Sequence, residues 1–365
     1  MIEIDGSMGE GGGSVVRVAV TLSAVSQQPV RIFNIRARRS RPGLHPQHLK
    51  AIEAVARLCN AKVEGLTIGS KEITFIPGTI GGGKYRVDIG TAGGTTLILQ
   101  AIMPAAAFSS SRVELEITGG TDNPQAPPID FMKNVTLPNL RRMGFNGDVV
   151  CIRRGHYPKG GGIIQAKIDP VKNLSSIKLL DAGNVVRIRG IAHAMMLPAH
   201  IARRMAHAAT KALLAAGYSD VEIKTEVSEE GGLGPGTGIT LWAETDGGAI
   251  LGGSSLGRPG KMAEHVGREA VEALLKEIEG GAVDSHTADQ LIPYLALANG
   301  ISEIKTSKLT LHALTNIALV EKILGVKFSI EGDLGIPSVI RVEGIGKENP
   351  AIGGNSAKGI APLPE

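Results

Sequence analysis

Aromatic side chains are scarce in this chain of 365 residues: six Phe, four Tyr and one Trp. So few rings leave little to stack on nucleic-acid bases. Cysteine is scarcer still. Cys59 and Cys151 are too few and too far apart for a disulfide framework, and no C-x-x-C pair offers a zinc site. Cys59 shares the apolar side of a helical pattern with Leu49, Ile52 and Val55, which predicts a buried, inert thiol. Long apolar runs are missing too: Ile98 to Phe108 falls far short of the ~20 residues a bilayer span requires, so no membrane helix is expected. The opening MIEIDGSMGEGGG has acidic residues and no basic stretch ahead of an apolar one, unlike a secretory signal, which points to a cytoplasmic protein.

What is present is a globular composition, 42% hydrophobic and 20% charged, at a length that suggests two or three domains. Glycine stands out at 49 residues without a G-x-y period, which implies many tight turns or close backbone approaches to a ligand. The net charge of +4 is too small to point to a polyanion by itself. Its distribution says more. Arg31, Arg36, Arg38, Arg39 and Arg41 crowd into RIFNIRARRSR, a density that suits phosphate or a solvated strand edge.

Three segments share a pattern: a glycine-rich or polar lead-in, an apolar helix of about four turns, then a short strand. They begin at Gly9, Gly90 and Ser285 and read as repeats of one α+β unit. Each places polar residues near the start of an otherwise apolar helix: Glu10 and Arg17, then Gln100, then Asp289 and Gln290. Helix N-termini carry unpaired N–H groups and a positive dipole end, so three brought together would make an anion site. Capping does not account for Arg17 or Gln100, which fall a turn or more inside. Between the second and third repeats the texture changes to strand, helix, strand, glycine loop, strand, helix. This predicts an inserted βαββα domain over 184–280, a discontinuous repeat domain over 1–183 and 281–345, and a loose tail over 346–365.

GTIGGGK, from Gly78 to Lys84, matches part of a P-loop but is followed by Tyr85 and a strand, so a β-hairpin turn is expected instead. GGLGPGTG, from Gly231 to Gly238, lacks the lysine and lies between predicted strands, which makes it a flexible loop. GSMGEGGG differs because a helix follows directly: its backbone would approach a phosphate, and Glu10 would hold a bridging divalent cation. Among the histidines, His193, His200, His207 and His265 have no metal-ligand spacing. His312, in LTLHALTN, is placed at the end of a strand leading into a helix, a common position for catalytic groups.

Seven motifs in order, DGSMGEGGGSVVR, RPGLHPQHLKA, GTAGGTTLILQ, GGTDNPQAPPIDF, GHYPKGGG, HTADQL and LTLHALTN, resemble those of the RNA 3'-terminal phosphate cyclases. The likeness runs to about residue 345 and departs at Pro46, where bacterial relatives often carry arginine. It implies an α+β fold of three ββαβαβ-like units, similar to an initiation-factor C-terminal domain and to the enolpyruvyl transferase fold, plus a smaller inserted domain. It also implies use of ATP and a divalent metal, Mg or Mn, to turn an RNA 3'-phosphate into a 2',3'-cyclic phosphate. By resemblance His312 is the nucleophile that carries AMP. Gln100, His286, Asp289 and Gln290 contact ATP, Glu10 holds the metal, Arg17, Arg36, Arg39 and Gln47 line the phosphates, and Pro127 and Phe131 lie near the adenine. Two other readings compete: a noncatalytic cyclase-like protein of ribosome assembly, disfavoured by the presence of His312, and an enolpyruvyl transferase, disfavoured by HTADQL with LTLHALTN. The oligomeric state is left open.

Overall fold

The computed structural model describes residues 1–353 and contains four four-stranded sheets. The first unit comprises β1 (Ile2–Asp5), α1 (Gly13–Ser26), β2 (Val30–Phe33), α2 (Pro46–Leu58), β3 (Lys62–Glu64) and β4 (Ile73–Ile76), with strand order β1-β2-β4-β3. The second comprises β5 (Gly83–Asp88), α3 (Thr95–Ala106) and β6 (Val113–Gly119), then α4 (Ile129–Phe131), a π-helical turn (Met132–Thr136) and α5 (Leu137–Arg141), then β7 (Asn146–Arg153) and β8 (Gly162–Asp169). Its order is β5-β6-β8-β7.

The third unit opens with β9 (Lys178–Leu179) and is then interrupted by β10 (Val185–Met195), α6 (His200–Ala215), β11 (Val221–Ser228), β12 (Gly236–Thr245), β13 (Ile250–Leu256) and α7 (Ala263–Gly280). It resumes with α8 (Ser285–Leu297), β14 (Asn299–Thr306), α9 (Leu311–Leu324), β15 (Phe328–Glu331) and β16 (Ser338–Ile345), in the order β9-β14-β16-β15. All three units therefore follow βαβαββ in chain order, with the antiparallel pair closing the unit rather than opening it. In each, the first two strands are parallel, and parallel neighbours need a long crossover, here a helix.

The repeat helices α1, α3 and α8 are buried on most faces, as their nearly continuous apolar sequences require. One apolar core runs through the three units and takes in Ala249 and Leu251 of the interrupting one, a second lies inside that unit, and Phe131, Val135 and Trp242 form a small patch between them.

Several expectations are corrected. The interrupting segment has a fourth strand, β13, so its order is βαβββα rather than βαββα. ILGGSSL has weak strand propensity, but its glycines are required by packing: a Cβ on Gly252 would lie 2.4 Å from Phe131, and one on Gly253 2.5 Å from the Leu274 backbone in α7. GTIGGGK is not a hairpin, because β4 and β5 belong to different sheets and the segment links two units. The arginine-rich run is a strand only to Phe33, after which residues 34–45 form turns. The expected loose tail is docked at its start, where buried Asn349 donates its amide N–H to Lys172 O (2.7 Å) and its side chain to Ser109 O (2.9 Å). The remainder of that tail, 354–365, lies outside the described residues.

Candidate active site

The first turns of α1, α3, α8 and α9 meet around a cavity of about 440 Å³, to which they contribute Ser14, Leu97, His286 and His312. One turn deeper, the same helices present Arg17, Gln100, Asp289 and Gln290, and Asn316 on α9. The repeat thus explains the convergence: the second turns of three similarly placed helices become three walls of one cavity. The fourth wall was misjudged from sequence. β14 ends at Thr306, and His312 is the second residue of α9, not the end of a strand. The Thr310 side chain caps this helix by accepting the Ala313 N–H (2.9 Å), a role that LTLHALTN hides because Leu309 and Leu311 flank it. Thr310 also donates its hydroxyl to Asp289 Oδ1, locking α9 to α8.

At the mouth, Glu10 sits in the loop between β1 and α1. Its Oε1 accepts from Ser14 Oγ at 2.5 Å, while Oε2 lies 3.0 Å from Arg39 Nη2 and 3.4 Å from His312 Nε2. The loop is held against α9 because the Glu10 N–H donates to Thr315 Oγ1 (3.1 Å) and Gly9, at φ +54°, packs where a Cβ would strike that same threonine. His312 is half-open to solvent beside this carboxylate. At the opposite wall Phe131 meets the His286 ring edge-on, with centroids 6.2 Å apart, and Pro127 is fixed by Thr96 Oγ1 donating to its carbonyl (2.8 Å).

The electrostatics suit an anion at one end. Burial pulls Arg17 down to about 10, against the opposing charge of Glu10, so it stays a cation at neutral pH. Burial raises Asp289 to about 7, opposed by the Thr310 hydroxyl and the Ala313 amide. His286 is lowered by burial, helped by His312 and Lys308. His48, which packs under Gly13 where a Cβ would lie 2.1 Å from Nε2, is driven to about 2 by burial and then by Arg17. Neither Arg17 nor Gln100 has a side-chain hydrogen bond among the described residues, so both keep donors free to face a ligand.

A model of the RNA 3'-terminal phosphate cyclase family matches residues 8–330. The chain belongs to this family. Curated relatives named RNA 3'-terminal phosphate cyclase include those of Methanothermobacter thermautotrophicus, 50% identical over 94% of this chain and the whole of the relative, and Pyrococcus furiosus, 49% identical over 94% and 98%. The Korarchaeum cryptofilum protein of the same name is 49% identical over 95% and 99%.

Measured against the residues that membership in the cyclase family implied, the cavity gathers His312, Gln100, His286, Asp289, Gln290, Arg17, Pro127 and Phe131, with Glu10 and Arg39 at its mouth. Arg36 and Gln47 do not reach it. Arg36 Nη1 donates to the carbonyls of Arg41 (2.7 Å) and Gly43 (2.9 Å), bracing the turn that carries Arg39. Gln47 packs on Gly93, at the start of the second unit's helix. Arg31 pairs with Glu3 and Glu72 on the first sheet. Thr310, Asn316 and His48 were missed from sequence, because only the fold brings α9 and α2 beside α8 and α1. Among the described residues no helix is long and apolar enough to cross a membrane.

Proposed function

We propose that this chain converts an RNA 3'-terminal phosphate into a 2',3'-cyclic phosphodiester at the expense of ATP, with His312 as the nucleophile. The observation that carries this reading is the His312 imidazole, half-open at a helix N-terminus and at the mouth of a cavity walled by Arg17, Gln100, Asp289 and Gln290.

A 3'-phosphate monoester has no good leaving group, so ring closure needs activation. A neutral His312 ring nitrogen attacks the α-phosphorus of ATP, forming the N–P bond as the bond to pyrophosphate breaks. A 3'-phosphate oxygen then attacks the same phosphorus and returns the electron pair to the imidazole, leaving AMP on the RNA. The neighbouring 2'-hydroxyl attacks the 3'-phosphorus, loses its proton to solvent and expels AMP, with proximity supplied by the ribose. Arg17 and Arg39 offset charge on phosphate oxygens, as do the N-termini of α1 and α9. Phe131, Pro127 and His286 form the adenine end of the cavity. Asp289 locks α8 to α9 and sets the charge beside the phosphates, while Gln100 and Gln290 supply neutral hydrogen bonds.

Glu10 is the carboxylate that would hold a divalent Mg or Mn ion at the mouth, in exchange for its contacts to Arg39 and His312. When bound, such an ion would neutralise triphosphate charge. The division into a repeat domain, 1–183 with 281–345, and an inserted domain, 184–280, belongs to the same reading and is supported by the interruption between β9 and α8. We place the protein in the cytoplasm with RNA ends, where its substrates are.

The test is incubation with α-labelled ATP and metal, comparing the wild type with His312→Ala. Acid-labile label on the wild type and none on the variant is expected; label surviving in the variant removes His312 from this role. No label on either protein would favour a noncatalytic part in ribosome assembly.

A further inference from the structure

Away from the cavity, Asp122, His156 and His193 meet where the second unit abuts the inserted one. Asp122 follows β6, His156 lies between β7 and β8, and His193 sits on β10. The three come from distant stretches of chain and are 1%, 5% and 1% exposed, so bulk solvent reaches none of them. His156 Nε2 and His193 Nε2 face each other at 2.9 Å. Asp122 spans both rings, with Oδ2 3.8 Å from His156 Nε2 and Oδ1 3.8 Å from His193 Nε2. The donor atoms lie within 4.8 Å of one another. Ligands on a tetrahedral ion with bonds of about 2.0–2.1 Å stand roughly 3.3 Å apart, and these spacings bracket that value.

Hydrogen bonding does not account for the cluster. Two neutral imidazoles share one bond at most through facing Nε2 atoms, and Asp122 Oδ1 has no hydrogen-bond partner among the described residues. Charge is also out of balance. Arg154, itself buried, is the cation shared by Asp122 (3.4 Å), Asp130 (2.7 Å) and Glu226 (2.7 Å). Asp122 and Asp130 are both buried against this one guanidinium while Glu226 is half exposed, so the dry side of the group holds more carboxylate than cation.

GGLGPGTG, expected from its sequence to be a flexible loop, is a loop only to Pro235; Gly236 and Gly238 open β12 and lie against this group. A Cβ on Gly236 would lie 1.9 Å from His156 Cγ and one on Gly238 3.1 Å from His193 Cε1, while the Leu233 N–H donates to Gly160 O at 3.0 Å. The glycines let the inserted unit's backbone seal the cluster from solvent.

We propose that Asp122, His156 and His193 bind a divalent transition-metal ion, with zinc the ion best suited to two imidazole nitrogens and a carboxylate, and that this ion clamps the inserted unit to the second repeat. The site is separate from the His312 cavity, and its ion is structural rather than a participant in phosphoryl transfer.

The full-length protein, purified without chelator and then equilibrated with zinc alone and desalted, is expected to retain about one zinc per chain by elemental mass spectrometry. Prolonged chelation lowers its melting temperature by several degrees, and zinc restores it. Cobalt substituted into the wild type gives the visible absorption of a low-coordinate N,O site. His193→Asn, Asp122→Asn and the volume-preserving His156→Gln each lose the retained ion and the cobalt band. A wild type that retains no divalent transition metal after zinc loading overturns the proposal, as does one whose melting is indifferent to both chelator and zinc, and these two measurements decide even where the variants fail to fold. Full retention by His193→Asn overturns it equally.

Discussion

His312 and His193 are the same residue in opposite surroundings. The first stands half-open at the start of a helix, with Glu10 at 3.4 Å and a large cavity beside it. The second is sealed beside the glycines that open β12, driven well below its ordinary value by burial and facing another imidazole. The difference teaches that a histidine's chemistry follows from access. An open ring beside a large cavity can exchange ligands of many atoms, whereas a ring sealed against a second imidazole has no room for a nucleotide. The two sites also differ in what they hold together: the cavity is made by repeats that share one apolar core, while the buried cluster lies against a unit with a core of its own, which the shared core enters at Ala249 and Leu251.

Four experiments sharpen or break this contrast. His312→Ala should abolish nucleotide transfer, a loss of at least a thousandfold or about 4 kcal/mol of transition-state stabilisation, while leaving chemical unfolding within about 0.5 kcal/mol of wild type. A large stability loss would show that the ring is part of the core. Arg154→Met should do the reverse. Removing the buried cation strands Asp122 and Asp130 and should cost about 3–5 kcal/mol in denaturant unfolding; a smaller cost would mean that the carboxylates find protons or cations elsewhere.

Gly252→Ala should cost about 1–3 kcal/mol through the clash with Phe131 and should also weaken ATP binding, because the displaced ring is part of the cavity wall. Isothermal calorimetry with ATP beside thermal melting separates the two effects. The smallest effect is a pH profile. Burial raises the Asp289 carboxyl from 3.8 to about 7 on folding, so the folded chain binds this proton more tightly than the unfolded one. Its stabilising contribution is complete below about pH 4 and is lost as pH rises through about 7. The same ionisation puts a negative charge beside the triphosphate. From about pH 6 to pH 8, ATP affinity of the wild type should fall by up to about tenfold relative to Asp289→Asn, and parallel profiles would place the titrating group elsewhere.

The repeat pattern was visible from residue order: glycine-rich lead-in, apolar helix and strand recur as α1 with β2, α3 with β6, and α8 with β14. The polar residues a turn inside those helices marked the cavity because an apolar helix has no cheap use for Arg17 or Gln100. Strand β13 escaped because its glycines signal a turn when read locally; they are there to admit Phe131 and α7. His312 was found but put in the wrong element, since the leucines around Thr310 mask a capping threonine.

The repeat units, their order and the polar groups on each repeat helix are legible in residue order, because periodicity and capping act over a few residues. That Glu10 stands beside His312, and that Asp122, His156 and His193 share one buried volume, follows from the folded chain alone. Those meetings join residues 302, 34 and 37 positions apart or more, and such distances are closed by sheet register and core packing, which no local pattern encodes.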